Sequence, residues 1–395
     1  MLKRMYDANC AKNRHLRAWV SACLLLLFSY NSVFAAEFVT QAREAILFDA
    51  GSGEILFEKN ADDLMPPASM SKLMTSTMVF EALKRRELSM DDEFFISENA
   101  WRRGGAASGG STMYAEINST IKIKDLIQGV VVQSANDACI ALAEGMAGTE
   151  EAFADLMTAR ARELGMKKST FKNATGLPDP EHRMTARELG IIAKHLIYDL
   201  GEYYHYFSQA EFTWNNIKQR NRNPLLRMDM GADGLKTGYT RKAGYGLVAS
   251  AERSGRRLIM VIGGLKSSKK RQIEARKLME WGFRRFRSFP LFEQGQTVGY
   301  ARVWGGDETW VELVAEEPIE LMLTPNERKG IKAEIVYEGP LRAPVEPGAQ
   351  VAKLRFSVNG KPVSDVKLYG ITAVEPDKRK WKRAIDTIMF MALGG

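Results

Sequence analysis

Apolar and polar positions alternate along this chain in two textures. Ala45-Ile46-Leu47-Phe48 and Ile55-Leu56-Phe57 are short apolar runs joined through Gly51-Ser52-Gly53, the pattern of a β-hairpin. Pro66-Pro67 then precede a long apolar run, Leu73 to Phe80, which predicts one buried helix over residues 69–85 with its start set by the prolines. Leu126 to Ala147, interrupted near Ser134, and Glu150 to Leu164 also read as helices, with a flexible loop over 101–113 before them. Thr185 to Asp199 is a further helix, with Glu188 three residues after a capping threonine. Phe212 to Trp214 reads as a strand, Asn215 to Gly234 as a polar loop, Tyr245 to Ala251 and Arg257 to Gly263 as strands, and Arg271 to Phe286 as a helix. Strands framing clustered helices predict an α/β layered domain with an antiparallel sheet over residues 36–290. After Pro290 helical periodicity disappears. Alternating runs at Thr297–Val303, Thr309–Val314, Ile319–Leu323, Ile331–Tyr337, Gln350–Phe356 and Ser364–Leu368 predict a small all-β domain over 291–374.

The two ends differ from both textures. Residues 1–35 read as a secretion signal: five cations, an apolar Ala18 to Phe28 too short to span a bilayer, and Val33-Phe34-Ala35 before a cleavage point. A lipoprotein signal around Cys23 and an uncleaved anchor are the alternatives. Residues 375–395 read as an amphipathic helix. Trp381, Ile385, Ile388, Met389 and Ala392 share one face, and cations cluster from Lys378 to Arg383. That pattern suits a helix lying in an anionic membrane surface, reached through residues 377–395; docking on the protein's own surface is the alternative.

With 395 residues the chain has room for two domains, and its apolar and charged fractions, 45% and 26%, are ordinary. The formal charge of +8 falls to +4 once the leader and its net four positive charges are removed. No nucleic-acid partner is expected. Cys10 and Cys23 leave with the leader, so Cys139 remains alone in an apolar helix, where it reads as a small core residue.

Three short motifs carry candidate chemistry. Ser69 and Lys72 are three residues apart, so both lie on one face of a helix start, where unpaired N–H groups and a positive dipole favour a nucleophile. Ser-x-x-Lys also occurs at Ser119, Ser169, Ser267 and Ser364, without a proline-fixed helix behind it. Ser134-Ala135-Asn136 interrupts a helical segment, where a polar pair can project into a cleft. Lys236-Thr237-Gly238 occurs once and suits an edge strand along which a substrate lies. The loop over 101–113 is glycine-rich, but no Gly-Lys-Ser/Thr closes it into a phosphate cradle.

Together, in this order, the three motifs resemble those of penicillin-binding proteins and serine β-lactamases. Thr213-Trp214-Asn215-Asn216, Asn221-Arg222-Asn223, the β domain and the tail are similar to the low-molecular-mass D-alanyl-D-alanine carboxypeptidases of the penicillin-binding protein 5 group. The resemblance implies a DD-peptidase-like fold, an antiparallel sheet with helices on both sides, and an exported enzyme on the periplasmic face of a bacterial inner membrane. It implies a peptidoglycan pentapeptide as substrate, β-lactam antibiotics as covalent inhibitors, and neither metal nor organic cofactor. By the same resemblance Ser69 is the nucleophile, Lys72 its base and Ser134 a proton relay. Asn136 holds the peptide amide, the N–H groups of Ser69 and Tyr239 form the oxyanion hole, and Lys236, Thr237 and Gly238 with Arg222 or Arg271 hold the terminal carboxylate. Tyr239 stands where the family often has histidine. An endopeptidase, a β-lactamase and a non-catalytic cell-wall peptide binder are the competing readings. The commonest β-lactamases place a Glu-x-x-x-Asn well before the Lys-Thr-Gly, whereas here Glu211–Asn215 lies close before Lys236.

Overall fold

The computed structural model describes residues 38–324, 327–358 and 360–379, together with Trp381 and Ile388. The predicted leader, 1–35, and most of the predicted 375–395 helix lie outside the described residues. The chain divides into two units, Met1–Val39 and Thr40–Gly395. Of the first, only Phe38 and Val39 are described, and Val39 is exposed.

The second unit is built on a five-stranded antiparallel sheet. Its strands are β1 (Glu44–Asp49), β2 (Ile55–Lys59), β3 (Ala232–Thr240), β4 (Gly244–Arg253) and β5 (Arg256–Leu265), in the order β2-β1-β5-β4-β3. The predicted hairpin thus supplies one edge, and the Lys-Thr-Gly strand is the other. Successive side chains of β1 point to opposite faces. Leu47 stands under Gly282 of the helix Ser268–Arg285, where a Cβ would come 2.6 Å from it, while Phe48 stands under Gly190 of the helix Ala186–Tyr198. Helices therefore cover both faces.

On the Phe48 side lies the main core, where α1 (Lys72–Lys84) is buried nearly all round by α2 (Asn136–Ala147), α3 (Glu150–Glu163) and α4 (Ala186–Tyr198). The helix Ser268–Arg285, α5, packs on the other face. Thr185 caps α4 by accepting the Glu188 N–H at 3.1 Å. The Glu188 carboxylate does not complete a capping box. It accepts instead from the Lys168 N–H and the Ser169 hydroxyl, at 2.8 and 2.5 Å. The 101–113 stretch, expected to be flexible, begins as a wide, π-helical turn (Ala100–Gly104) against α2, where a Cβ on Gly104 would lie 2.2 Å from the Asp137 nitrogen. Within the expected polar loop, Ile217–Arg220 pairs with Glu211–Trp214 as a short hairpin.

Beyond α5 the chain is all strand. β6 (Arg287–Phe292) pairs with β9 (Ile319–Leu323). β7 (Thr297–Trp304), β8 (Trp310–Val314), β10 (Ile331–Val336), β11 (Leu341–Arg342), β12 (Gln350–Val358) and β13 (Lys361–Gly370) form a six-stranded sheet in the order β10-β12-β13-β8-β7-β11. These strands enclose their own core, including Val311, Leu313, Leu354, Phe356 and Leu368. β6 was not anticipated, because Ser288, Pro290 and a run of arginines mask its alternation. Among the described residues no helix is long and apolar enough to cross a membrane.

Behind the Ser69 turn, α1, α3 and α4 are tied by one buried carboxylate. Glu81 accepts from the Arg160 guanidinium at 2.8 Å and stands 2.8 Å from His195 Nε2, whose Nδ1 faces Asp199 at 2.7 Å. The Glu81 hydrogen bond raises the His195 pKa above its ordinary value. The protonated ring therefore contributes stability that is complete below about pH 6.5 and lost as pH climbs through the higher folded value. Urea unfolding should accordingly show stability declining as pH rises above about 6.5, and His195→Gln should flatten that slope. Glu81→Gln should cost about 2 kcal/mol at neutral pH by the same measurement.

Candidate active site

Ser69 sits in a turn that packing holds from two sides. Ala68 has φ 51°, a left-handed value uncommon for an L side chain, and the chain then makes a 3-10 turn, Ala68–Ser71. The α-helix expected from residue 69 therefore begins only at Lys72. β3 presses on the turn so closely that a Cβ on Gly238 would lie 2.9 Å from the Pro67 carbonyl oxygen. From the other side a Cβ on Gly176, whose φ is +77°, would lie 2.0 Å from the Ala68 oxygen. Strain at Ala68 persists because both neighbours over-determine the turn.

Lys72 is fully buried, and its Nζ stands 3.1 Å from Ser69 Oγ, 2.7 Å from Asn136 Oδ1 and 2.5 Å from the Thr175 carbonyl oxygen. The last two are acceptors only. A neutral amine has two N–H bonds and one lone pair, so donating to Asn136 and Thr175 leaves the lone pair for the Ser69 hydroxyl. Desolvation lowers the Lys72 pKa, and the Arg222 charge lowers it further. Nearby Asp137 and Glu150 oppose the shift.

Ser134 and Asn136 come from the break in the second helical segment. A wide turn, Gly129–Gln133, ends at Ser134 with φ 63°, and α2 starts at Asn136. Ser134 Oγ is buried and finds no hydrogen-bond partner among the described residues. A buried hydroxyl of this kind is a donor and acceptor that a bound peptide can engage.

The cations gather around the same turn. Lys236 is 3% exposed, and desolvation, Lys72 and Arg222 in that order hold its ammonium well below its ordinary pKa, with Arg271 adding to the effect. Thr237, next on the strand, is buried. Arg222 donates to Ser111 Oγ at 2.5 Å. Arg271 lies over the Tyr245 ring at 5.7 Å, its Nε unpaired, and desolvation brings its pKa down to about 10. Lys236, Arg222 and Arg271 thus act on one another beside the Lys72 amine, with Lys236 on the edge strand.

The structure brings Ser69, Lys72 and Asn136 into direct hydrogen bonding, and places Lys236, Arg222 and Arg271 within electrostatic reach of Lys72 or of each other. The Tyr239 side chain does not join them. It is 52% exposed and stacks on Tyr245 at 4.2 Å. Glu211 and Asn215 are exposed and engaged elsewhere, Glu211 with Lys218 and Asn215 with the Tyr114 carbonyl oxygen. Cys139 is buried, with its thiol pushed up to about 12 by desolvation, which leaves it inert. Among the described residues no group of His, Cys, Asp and Glu is arranged to hold a metal ion.

Sequence reasoning missed the supports. Asn173 Oδ1 accepts from the Thr175 N–H, the Thr175 hydroxyl and the Gly176 N–H, fixing the carbonyl that receives Lys72. The available signal was the turn composition Asn173-Ala174-Thr175-Gly176. Asp137 accepts from the Thr112 hydroxyl at 2.6 Å and from the Met113 and Ala115 N–H groups, pinning the loop that carries Ser111. Nothing in the local sequence marks a lone buried carboxylate of this kind.

Comparison with known proteins places this geometry. A family model described as D-alanyl-D-alanine carboxypeptidase matches residues 31–267, and one described as penicillin-binding protein 5, C-terminal domain, matches residues 286–376. D-alanyl-D-alanine carboxypeptidase DacC of Escherichia coli (strain K12) is 38% identical over 368 residues, 91% of this chain and 92% of the relative. Penicillin-binding protein 5 from Haemophilus influenzae has a solved structure with TM-score 0.77 at 36% identity, covering 86% of this chain and 99% of that one. Penicillin-binding protein D2 from Listeria monocytogenes, solved in its ampicillin-bound form, has TM-score 0.55 at 33% identity, covering 63% of this chain and all of that one, 100%. With both models in register along the chain and the Ser69 turn built as described, this protein belongs to the D-alanyl-D-alanine carboxypeptidase family.

Proposed function

We propose that Ser69 is the nucleophile of a serine-type D-alanyl-D-alanine carboxypeptidase that removes the terminal D-alanine from peptidoglycan pentapeptides. The observation that carries the reading is the buried Lys72 amine, with two acceptors on its N–H bonds and the Ser69 hydroxyl 3.1 Å away. Ser69 Oγ attacks the carbonyl between the two D-alanines as its proton passes to Lys72 Nζ. The N–H groups of Ser69 and Tyr239 stabilise the oxyanion. Ser134 Oγ relays a proton to the departing amine, D-alanine leaves, and water hydrolyses the ester on Ser69. Asn136 holds the peptide amide. Lys236 and Thr237, with Arg222 and Arg271, hold the terminal carboxylate, the anion that this cationic cluster would otherwise lack. Gly238 lets the strand come close enough for the substrate to bridge Ser69 and β3. A β-lactam carries a similar carboxylate and a strained amide, so it acylates Ser69 and blocks the site.

We further propose that the protein works on the outer face of a bacterial inner membrane, held there by residues 377–395. Trp381 and Ile388 support this reading: seven positions apart on one helical face, both are exposed, at 59% and 64%.

Mass spectrometry after penicillin treatment should find one adduct, on Ser69; an adduct elsewhere, or none on folded protein, contradicts the assignment. The rate of penicillin acylation should rise with pH through the lowered Lys72 pKa and level off before the ordinary lysine value. Stopped-flow acylation should show Lys72→Arg slowed about 10³-fold, the scale of a lost general base. Deleting residues 377–395 should release the protein from anionic vesicles in a flotation assay while leaving hydrolysis of a small soluble peptide intact.

A further inference from the structure

Glu150 is a buried carboxylate, 3% exposed, that the proposed mechanism does not use. It opens α3, where the unpaired N–H groups of the first turn favour an anion. Its Oε1 accepts the Ala174 N–H at 3.1 Å, and its Oε2 pairs with Arg103 Nη1 at 2.9 Å. Ala174 immediately precedes the carbonyl that receives the Lys72 amine, so this hydrogen bond acts on the aim of the Thr175 oxygen. Two other groups hold the same turn. The Thr75 hydroxyl of α1 donates to the Ala174 oxygen at 2.7 Å, and Asn173 Oδ1 accepts from the Thr175 and Gly176 N–H groups. Of these three holds, only Glu150 carries a charge.

That charge reaches Lys72 through space as well as through the turn. The charged groups acting on Lys72 are Arg222, Asp137 and Glu150, and Lys72 in turn acts on Lys236. Cys139 and His182 are also within reach, but burial holds both neutral. Asp137 is fixed by hydrogen bonds from Thr112, Met113, Ala115 and Ala138, none of them from a cation. Glu150 instead faces a cation that is half in water, since the Arg103 side chain is 47% exposed. Glu144 and Glu151, the other charged groups acting on Glu150, add like charge. We infer that Glu150 is a positioning residue for Lys72. It aims the Thr175 carbonyl at the amine, and its charge, screened by Arg103, sets the pH at which the amine takes the Ser69 proton. The inference rests on the reading of Lys72 as the base. A carboxylate near the amine favours its ammonium form, so Glu150 moves proton transfer to higher pH and Arg103 moves it back.

Stopped-flow acylation by penicillin, followed against pH on the full chain, tests this. In Glu150→Gln, whose amide oxygen can still accept the Ala174 N–H, the midpoint of the rise should fall by about one unit. In Arg103→Gln the unscreened carboxylate should move the midpoint the opposite way. Glu150→Ala removes the acceptor as well as the charge. It should lower the high-pH plateau about tenfold relative to Glu150→Gln, the worth of one buried hydrogen bond. A midpoint unmoved in Glu150→Gln or Arg103→Gln, or moved in the same direction by both, overturns the positioning role. Equal plateaus in the two Glu150 variants overturn it as well. Should a Glu150 variant fail to fold, Arg103→Gln, changed at the surface, still decides through the direction of its shift. If wild-type acylation does not rise with pH at all, the reading of Lys72 as the base fails, and the inference with it.

Discussion

The burial of one amine is the constraint from which the rest of the site follows. An ammonium away from water must be paired or give up its proton. Around Lys72 Nζ the nearest polar atoms are an amide oxygen, a backbone carbonyl oxygen and a hydroxyl, none of them an anion. The neutral form is thereby favoured, and its lone pair has a single direction left to it. Three separate pieces of chain must be in place for this: the Ser69 turn, the start of α2 for Asn136, and the Asn173–Gly176 turn for the Thr175 carbonyl. Each has its own brace. Gly238 and Gly176 admit close neighbours, Asp137 ties the loop beyond Asn136, and Glu150 accepts the Ala174 N–H at 3.1 Å while pairing with Arg103.

Electrostatics then extends the effect of that amine to the substrate. Arg222 lowers the proton affinity of both Lys72 and Lys236, and its guanidinium remains a target for an anion. Gathering cations in a desolvated site works against folding. A substrate carboxylate supplies the missing counter-charge, so binding relieves part of what folding cost. Function here draws on a locally destabilised arrangement that the large core around α1 can sustain.

Much of this was readable from the chain. The β1–β2 hairpin and the break at Ser134 followed from apolar runs and glycines, because each depends on local backbone preference. The order of the motifs identified the chemistry. What stayed hidden depends on contacts between distant segments. The delayed start of α1 follows from pressure by Gly238 and Gly176 on Ala68, which no window around Ser69 contains. Glu188 looked like the second half of a capping box, yet it serves Lys168 and Ser169, since tertiary partners outbid the local one. The strand Ile217–Arg220 was lost in a polar stretch because, lying at the surface, it has no apolar face to advertise.

The β domain can be placed functionally by the same reasoning. Its β9 strand meets the catalytic sheet at the β1–β2 turn, where the Met322 N–H donates to Glu54 at 3.0 Å and burial pushes that carboxyl up to about 7. β2 and β3 are opposite edges of the five-stranded sheet. A second domain docked at the β2 end leaves the β3 edge free of neighbouring strands, and an unpaired edge is what an extended peptide needs in order to lie along Lys236 to Thr240. Had the strands after α5 folded back on β3 instead, the same catalytic groups would be present with no backbone available to orient a substrate. The connection through α5, which crosses the sheet face away from α1 and carries Arg271 at its first turn, links the placement of the β domain to the cation cluster itself.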